Sequence, residues 1–354
     1  MERVIEIGGV RVRIAPTAED EEGLQSFNEL IEKLKNNAAV PQINQRVSEA
    51  PRHVQILLSV DFDAVAGWLG TGQHPRNCLA DYSSGFFAGH VGVGRLLSVF
   101  KRLGVADKIT WFIPGHSMET FPAETKSIVQ SGAEIALHGY SHEDATKLDA
   151  QQEEDVFDKC ITLAQSLTGK RPVGYRAPVY RLSQQTVNLL EKKGFLYDSS
   201  LSWHDSQLHQ LSKGPSPVPV DYSQPAHTWM HPCAPSQPST VVGVPTGWYM
   251  EDMTPLQYLP NIENSHGYVP AQSIVKMWQD RFNWLWKHGP DGNGLGDFVF
   301  PLVLHPDTSG MAHIIGSIEN MVQWLKSWGS EVEFVTYEAA ARSFLKRQME
   351  KSDA

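Results

Sequence analysis

The chain has 354 residues, 41% of them hydrophobic and 20% charged, which is enough apolar material to bury a sizeable core. Glycine (28) and proline (22) stand only slightly above ordinary usage, so neither a disordered polymer nor a collagen-like repeat fits. Thirty Lys and Arg face 40 Asp and Glu, a net charge of -10 that repels a phosphate backbone and leaves nucleic-acid binding without electrostatic footing.

The amino-terminal stretch has no apolar core of the signal-peptide kind, and no run of 18 apolar residues is available to span a bilayer. Cys78, Cys160 and Cys233 stand far apart and form no CxxC pair, so no disulfide framework or thiolate zinc site is expected. A cytoplasmic protein that engages no membrane is the expectation from these missing signals.

Residues 1–52 read as an extension, with an alternating VRVRI stretch, a mixed helix around Phe27 to Leu34 and a polar, proline-punctuated tail that leads into a main domain over 53–348. VQILLSV (54–60) is the first strand of that domain, followed by a glycine-rich loop and a helix near His90–Leu103. ITWFI (109–113) and EIALH (134–138) are the next strands, separated by a helix over 121–130. The helix predicted over 151–167 carries a one-sided apolar stripe through Val156, Cys160, Ile161, Leu163, Ala164 and Leu167. VGYR (173–176), a helix from Ser183 to Lys193 with Ser183 as its cap, and FLYD (195–198) follow.

Residues 199–240 are rich in proline, serine and histidine and are expected to form a long functional loop. After it come VVGVP (241–245), a helix over 271–287, FVFPLVLH (298–305), a helix over 313–328, VEFV (332–335) and a last helix from Tyr337. Eight apolar strands alternating with helices predict a (β/α) barrel within the α/β class. A doubly wound open sheet is the structural alternative, disfavoured because no GxGxxG follows the first strand.

In a barrel the chemistry collects at the carboxyl ends of the strands, and ionisable residues recur there. Asp61 and Asp63 end the first strand two residues apart, on one face of an extended chain, where their repulsion calls for a cation or a shared proton. A single Asp capping the following loop is the plainer explanation. His138 and His142 follow the third strand in LHGYSH; the HxxxH spacing alone recurs by chance among 14 histidines and gains weight only beside the aspartates. Glu143 and Asp144 are candidates to orient an imidazole, or are solvated loop acids. Arg176 ends the fourth strand, where it can pair with Asp61 or merely neutralise an acidic rim. Asp198 is a candidate anchor for Arg176, and His305 emerges at the end of the seventh strand beside Asp307. Trp229 and Trp248 lie where they can line a groove, whereas Trp278 and Trp284 fall in a helix and are expected to pack against the barrel.

Asp63, His138 and His142 make a two-histidine, one-carboxylate set suited to Zn2+, or to Co2+, Ni2+ or Fe2+, with positions left for water and substrate. Asp61 is then placed to take a proton from that water, His305 to protonate a departing nitrogen, and a backbone N–H after Pro178 to hold the developing oxyanion. This describes hydrolysis of an amide or imide without a covalent intermediate. Serine chemistry lacks a GxSxG motif, and an iron oxygenase would leave Asp61 and His305 without a task.

The segments VDFDAVAGWLG (60–70), WFIPGHSMETFP (111–122), EIALHGYSHE (134–143), QQEEDVFDKC (151–160), TGKRPVGYRAP (168–178) and LVLHPD (302–307) resemble the polysaccharide deacetylase superfamily, with its NodB-homology barrel, also called carbohydrate esterase family four. Within it the chain is most similar to a branch of peptidoglycan-deacetylase-like proteins, cyclic imide hydrolases and allantoinase-like members. The resemblance implies a deformed (β/α) barrel with a divalent metal, Asp61 as base, Asp63, His138 and His142 as metal ligands, His305 as acid and Arg176 as the residue that orients the base. It also implies a homo-oligomer, dimer or tetramer; residues 1–52 lie outside the match and are a candidate contact. Phe62 splits the usual adjacent aspartates, and Val179 stands where sugar deacetylases often carry tyrosine. The activity implied first is metal-dependent N-deacetylation of an amino sugar or chito-oligosaccharide. Opening of a small cyclic imide or ureide is the alternative, and a catalytically silent binding barrel the remote one.

Overall fold

Eight residues from Val54 to Asp61 form a strand buried along its whole length, and the sheet is assembled around it. In the computed structural model the described residues are 3–7, 10–14, 53–70, 78–214, 217–258, 267, 269–294 and 296–352. The chain divides into two units, Met1–Glu49 and Ala50–Ala354. In the first, β1 (Arg3–Ile7) and β2 (Val10–Ile14, the VRVRI stretch) pair antiparallel. The helix expected around Phe27 to Leu34 lies outside the described residues.

In the second unit β3 is Val54–Asp61, β4 Thr110–Ile113, β5 Glu134–Leu137, β6 Gly174–Tyr175 and β7 Tyr197–Asp198. β8 is His209–Lys213, β9 Gln237–Gly243, β10 Phe298–Leu304 and β11 Val332–Phe334. The ladder runs β10-β3-β4-β5-β6-β7-β9-β8, parallel except for the β8–β9 pair. β10 occupies one edge of β3, so β11 and β4 share the other, β11 beside Val54–Ile56 and β4 beside Ser59–Asp61. Every strand expected from the apolar runs is present.

Between β9 and β10 no continuous ladder forms. There the segment after β9 bridges back: Val303 donates its N–H to the Met250 carbonyl at 2.9 Å and pairs with Glu251 in a single parallel bridge. Val299 donates to the Ser206 carbonyl at 2.9 Å. A curled, mostly parallel sheet bridged in this irregular way is a deformed barrel, with helices packed around it.

Three expectations are corrected. The segment 199–240 is not a loop throughout, because β8 pairs antiparallel with β9 inside it. Its strand was hidden by polar residues that an edge strand tolerates on its open side. Residues 61–90 are not loop throughout either: Leu79–Phe87 is helical and runs through one π turn (Ala88–Val93) into the helix Gly94–Arg102. The helix expected from Ser183 begins later, at Thr186 with Gln185 as its cap residue, and Ser183 Oγ instead accepts from the N–H groups of Gln185 (2.9 Å) and Thr186 (3.1 Å) in the turn that leads into it.

The glycines that lack a nucleotide-binding order serve packing. A Cβ on Gly92 would stand 2.2 Å from the Pro306 carbonyl oxygen, so the π turn is pressed against the backbone immediately after His305. Gly94 faces open space. Gly92→Ala is expected to cost about 1–3 kcal/mol through overpacking and to lower activity by displacing His305. Gly94→Ala should be neutral or stabilise by up to about 1 kcal/mol, through removal of a helical glycine. Thermal melts and kcat of the two variants check this; equal behaviour would refute the close-packing role.

Candidate active site

β3, β5, β6 and β10 end at one mouth, and each delivers a side chain to it. Asp61 closes β3 and Asp63 follows two residues on, both buried. The Phe62 N–H donates to the Phe112 carbonyl at 2.9 Å, which keeps the backbone extended between them and sends both carboxylates to the same side. Phe62 itself turns inward against Trp111 and Phe121.

His138 and His142 leave the end of β5 on a loop that Gly139 opens at φ 66°. The Nδ1–H of His138 donates to the Arg176 carbonyl at 2.7 Å, which leaves its Nε2 bare and aimed at the acids. That Nε2 is 3.4 Å from Asp63 Oδ1 and 3.8 Å from Asp61 Oδ2, and His142 Nε2 is 3.3 Å from Asp63 Oδ2. His142 sits at φ 58°, a conformation costly for a residue with a Cβ. Ala64, Val179 and Tyr180 share it at 49°, 49° and 58°, and these four are all the non-glycine residues with positive φ among those described. All lie in loops after β3, β5 and β6. Strain gathered in this way marks a site whose surroundings over-determine it.

Arg176 is wholly buried at the end of β6 and reaches across to Asp61 with Nη1. Its remaining donors go to Ser59 Oγ (3.1 Å), the Ser199 carbonyl and Oγ (3.1 Å each) and Tyr337 Oη (3.3 Å). His305, from β10, places Nε2 4.0 Å from Asp61 Oδ2 and 3.9 Å from Asp63 Oδ2. Its Nδ1–H donates to Asp252 Oδ1 at 2.6 Å and its backbone N–H to Asp252 Oδ2 at 2.9 Å, while Ser309 Oγ donates to the same carboxylate.

The six residues singled out in the sequence therefore converge. Others behave differently. Asp198 makes no hydrogen bond to Arg176; it accepts from Ser200 Oγ (2.6 Å) and N–H (3.0 Å), and Ser200 Oγ in turn accepts from Ala177 N–H at 2.8 Å. Neither loop acid orients an imidazole: Glu143 accepts from the N–H groups of Tyr140 and Ser141, and Asp144 from Thr146 and Arg181. Trp278 is buried in the core as expected, whereas Trp284 is 51% exposed. Asp252 was not singled out, although the adjacent acids of YMEDM just beyond β9 are a signal of the same kind as SVDFD.

Burial alone would raise Asp63, but His142 and His138 beside it hold it well below the usual carboxylate range. Burial drops His142 to about 4, keeping it a neutral imidazole, while for His138 the Asp61 and Asp63 carboxylates outweigh burial and raise it. Asp252 raises His305 far above its ordinary value against the opposing effect of burial. Burial pushes Glu251 up to about 7 and Asp307 up to about 6.

Asp63 Oδ1 and His142 Nδ1 are buried without a hydrogen-bond partner. The donor atoms of Asp63, His138 and His142 lie within 4.8 Å of one another. An orphaned carboxylate oxygen among imidazole nitrogens fits a divalent cation. Glu251, Asp252 and His305 form a second cluster of that kind, but Asp252 is occupied by His305 and Ser309.

With the geometry established, comparison with known proteins gives the same fold and family. Residues 89–197 match the polysaccharide deacetylase family model. A peptidoglycan deacetylase-like protein of Gibberella zeae is 66% identical over 313 residues, covering 88% of this chain and 93% of the relative. A peptidoglycan deacetylase of Helicobacter pylori is 38% identical over 300 residues, 85% and 99% of the two chains. The crystal structure of a putative polysaccharide deacetylase from Mycobacterium smegmatis superposes with a TM-score of 0.69 at 23% identity, over 85% of this chain and 93% of that one. The family match and these relatives support a hydrolase of carbon–nitrogen bonds other than peptide bonds. The chain belongs to the polysaccharide deacetylase family. No helix among the described residues is long and apolar enough to cross a membrane.

One buried acid gives a stability test. Asp307, with Gln257 Nε2 at 3.2 Å, has a folded value of about 6, above its ordinary 3.8. Its contribution to stability is therefore full below about pH 4 and is lost as pH rises through 6. In metal-stripped protein, Asp307→Asn should raise the melting temperature at pH 8, by at most about 3 kcal/mol in stability, and lose that advantage near pH 4. An effect independent of pH would contradict the raised value.

Proposed function

We propose that the protein removes the acetyl group from an N-acetylated amino sugar, in a chito-oligosaccharide or related glycan, by metal-dependent attack of water. The observation that carries this reading is the bare Oδ1 of Asp63, set among His138 and His142, with Asp61 3.8 Å from His138 Nε2 and His305 3.9 Å from Asp63 Oδ2. Asp63, His138 and His142 would hold the cation, Zn2+ first among the candidates. When bound, it supplies polarisation of the acetamide carbonyl and a lowered pKa for the attacking water.

The rest is done by the chain. Asp61 accepts the water's proton, and Arg176 holds that carboxylate in place through the buried contact at Oδ1, leaving Oδ2 toward the cleft. The Val179 N–H, in its strained turn after Pro178, is the donor proposed for the oxyanion. His305, its Nδ1–H fixed on Asp252, presents a protonated Nε2 to the departing amine nitrogen. As the tetrahedral species collapses, the C–N bond breaks, the proton passes from His305 to nitrogen, and acetate leaves.

An open glycan-binding mouth is supported by Trp248, 51% exposed and set edge-on to Tyr180 with ring centroids 4.8 Å apart. The segment 217–238 is exposed rather than folded down over a small ring.

Asp63→Asn is expected to lose bound metal, whereas Asp61→Asn should keep metal and lose turnover; equal metal retention in both would overturn the assigned roles. Loss of the acid in His305→Asn should lower kcat by roughly 10²–10⁴. Asp252→Asn should move the alkaline limb of kcat/KM to lower pH, because the imidazolium loses the carboxylate that stabilises it. Acetate release from chito-oligomers, measured beside succinimide and hydantoin opening, decides the substrate class. Ring opening without acetate release would replace the deacetylase reading with an imidase.

A further inference from the structure

A pocket of about 370 Å³ adjoins the site between the loops that follow β3 and β10. Its walls continue the chain from residues already placed at the mouth. Trp68 comes five residues after Asp63, in the short helix Ala66–Leu69, which packs so closely that a Cβ on Gly67 would stand 3.2 Å from Asp63 Cβ. Asp307 and Thr308 belong to the turn closed on the His305 carbonyl, which accepts from Thr308 N–H at 3.1 Å and Ser309 N–H at 2.8 Å. Asp81 and Ser84 line it from the helix Leu79–Phe87, and Tyr258 from the segment that follows Asp252. The pocket thus lies on the His305 side, where the sugar that carries the departing nitrogen is held. A second cavity of about 420 Å³ shares Leu256, Tyr258, His313 and Ile314 with it, so the groove continues beyond one ring.

Asp307 sets the chemistry of this pocket. Its carboxyl is only 6% exposed, yet both of its hydrogen bonds are long: Gln257 Nε2 reaches Oδ2 at 3.2 Å and Thr308 Oγ1 reaches Oδ1 at 3.4 Å. A carboxylate offers about four acceptor positions, and its charge-assisted bonds run roughly 2.7–2.9 Å, so this one is short of donors. Asp81 adds a second acid, and no lysine or arginine stands among the described residues that line the pocket. Trp68 supplies an indole face at the wall. An ammonium on a sugar ring fits that set, since the carboxylate gains a charged donor and an indole attracts a cation. A carboxylate-bearing sugar would meet two like charges instead.

We propose that this pocket is a subsite for a sugar that already carries a free amine, so that the substrate is a partly deacetylated glycan whose reacting N-acetyl unit stands beside an ammonium-bearing one. The inference rests on the deacetylase reading, whose product is such an amine, protonated by water at neutral pH. Each turnover then creates the group that the subsite recognises, and deacetylation proceeds from a unit to its neighbour.

Binding is measured by calorimetry on metal-loaded Asp61→Asn protein, in which turnover is blocked, with N,N′-diacetylchitobiose and the two mono-deacetylated chitobioses as probes. At least one mono-deacetylated isomer should bind about tenfold or more tightly than the diacetylated disaccharide. Asp307→Asn, added to this protein, should remove the difference. Ser84→Lys should do the same by bringing a cation to the wall without touching the buried turn, and melting profiles check that both variants fold. With active enzyme the preference should appear in KM for acetate release rather than in kcat. Equal affinity for all three disaccharides overturns the subsite, as does binding of none of them or a preference that survives both substitutions. The deacetylase reading fails separately: wild type that releases no acetate, while the amine preference and its loss in Asp307→Asn persist, keeps the subsite and removes the reaction assigned to the mouth.

Discussion

The contact of Arg176 with Asp61 is the interaction on which the rest of this structure depends. The guanidinium has no exposure to solvent, and its hydrogen bonds tie β3, through Ser59 and Asp61, to Ser199 beyond β7 and to Tyr337 at the start of the last helix. It stacks 3.9 Å from the centroid of Phe112 in β4, and its own carbonyl holds His138. A charge so placed is tolerable only because every donor is engaged. Removing one partner of such a pair typically costs 3–5 kcal/mol, since the other is left charged and buried. The group that aims the proposed base therefore also anchors the barrel's interior, and its side chain and carbonyl together set the spacing between Asp61 and His138.

Around that anchor the loops are held against their own preferences. His142, Val179 and Tyr180 adopt left-handed backbone conformations although none is glycine. What enforces them is close packing of one loop on the next. A Cβ on Gly70 would fall 2.0 Å from the Ser141 carbonyl oxygen, so the loop after β3 and the one after β5 touch backbone to backbone. Asp63 and His142 thus belong to one packed unit, and their approach is a property of the fold rather than of two independent side chains.

Much of this was readable in the sequence because parallel strands buried on both faces are continuous apolar runs that stop abruptly at polar residues. Each such stop, SVDFD, LHGYSH, GYRAP and LVLHPD, became a wall of the site. Two things were not readable. β8 is an antiparallel edge strand, and HQLSK has neither the hydrophobicity nor the alternation of a core strand. Asp252 lies beyond the end of β9, where the chain bridges irregularly to β10, so the acid pair of YMEDM is visible in the sequence but no strand pattern places it beside His305. That irregular closure serves the site, because the backbone pairing of Glu251 with Val303 brings Asp252 beside His305. The polar character of 199–240 drew attention for the right reason, its lack of core pattern, but the reason lies in exposure.

The charges at the mouth explain one another. Asp61, Asp63, Glu251, Asp252 and Asp307 are five buried carboxyls, and the one permanent cation among the groups described here is Arg176. Water cannot screen them, so the deficit is met by protons: Glu251 and Asp307 rise toward neutrality, His305 retains its proton far above the ordinary range, and His138 rises as well. Asp63 is driven down, and it is also the acid with a bare oxygen between imidazoles. A divalent cation on Asp63, His138 and His142 would relieve the same deficit more directly than a proton on His138. It would leave the His305–Asp252 pair to keep the proton that the departing nitrogen requires.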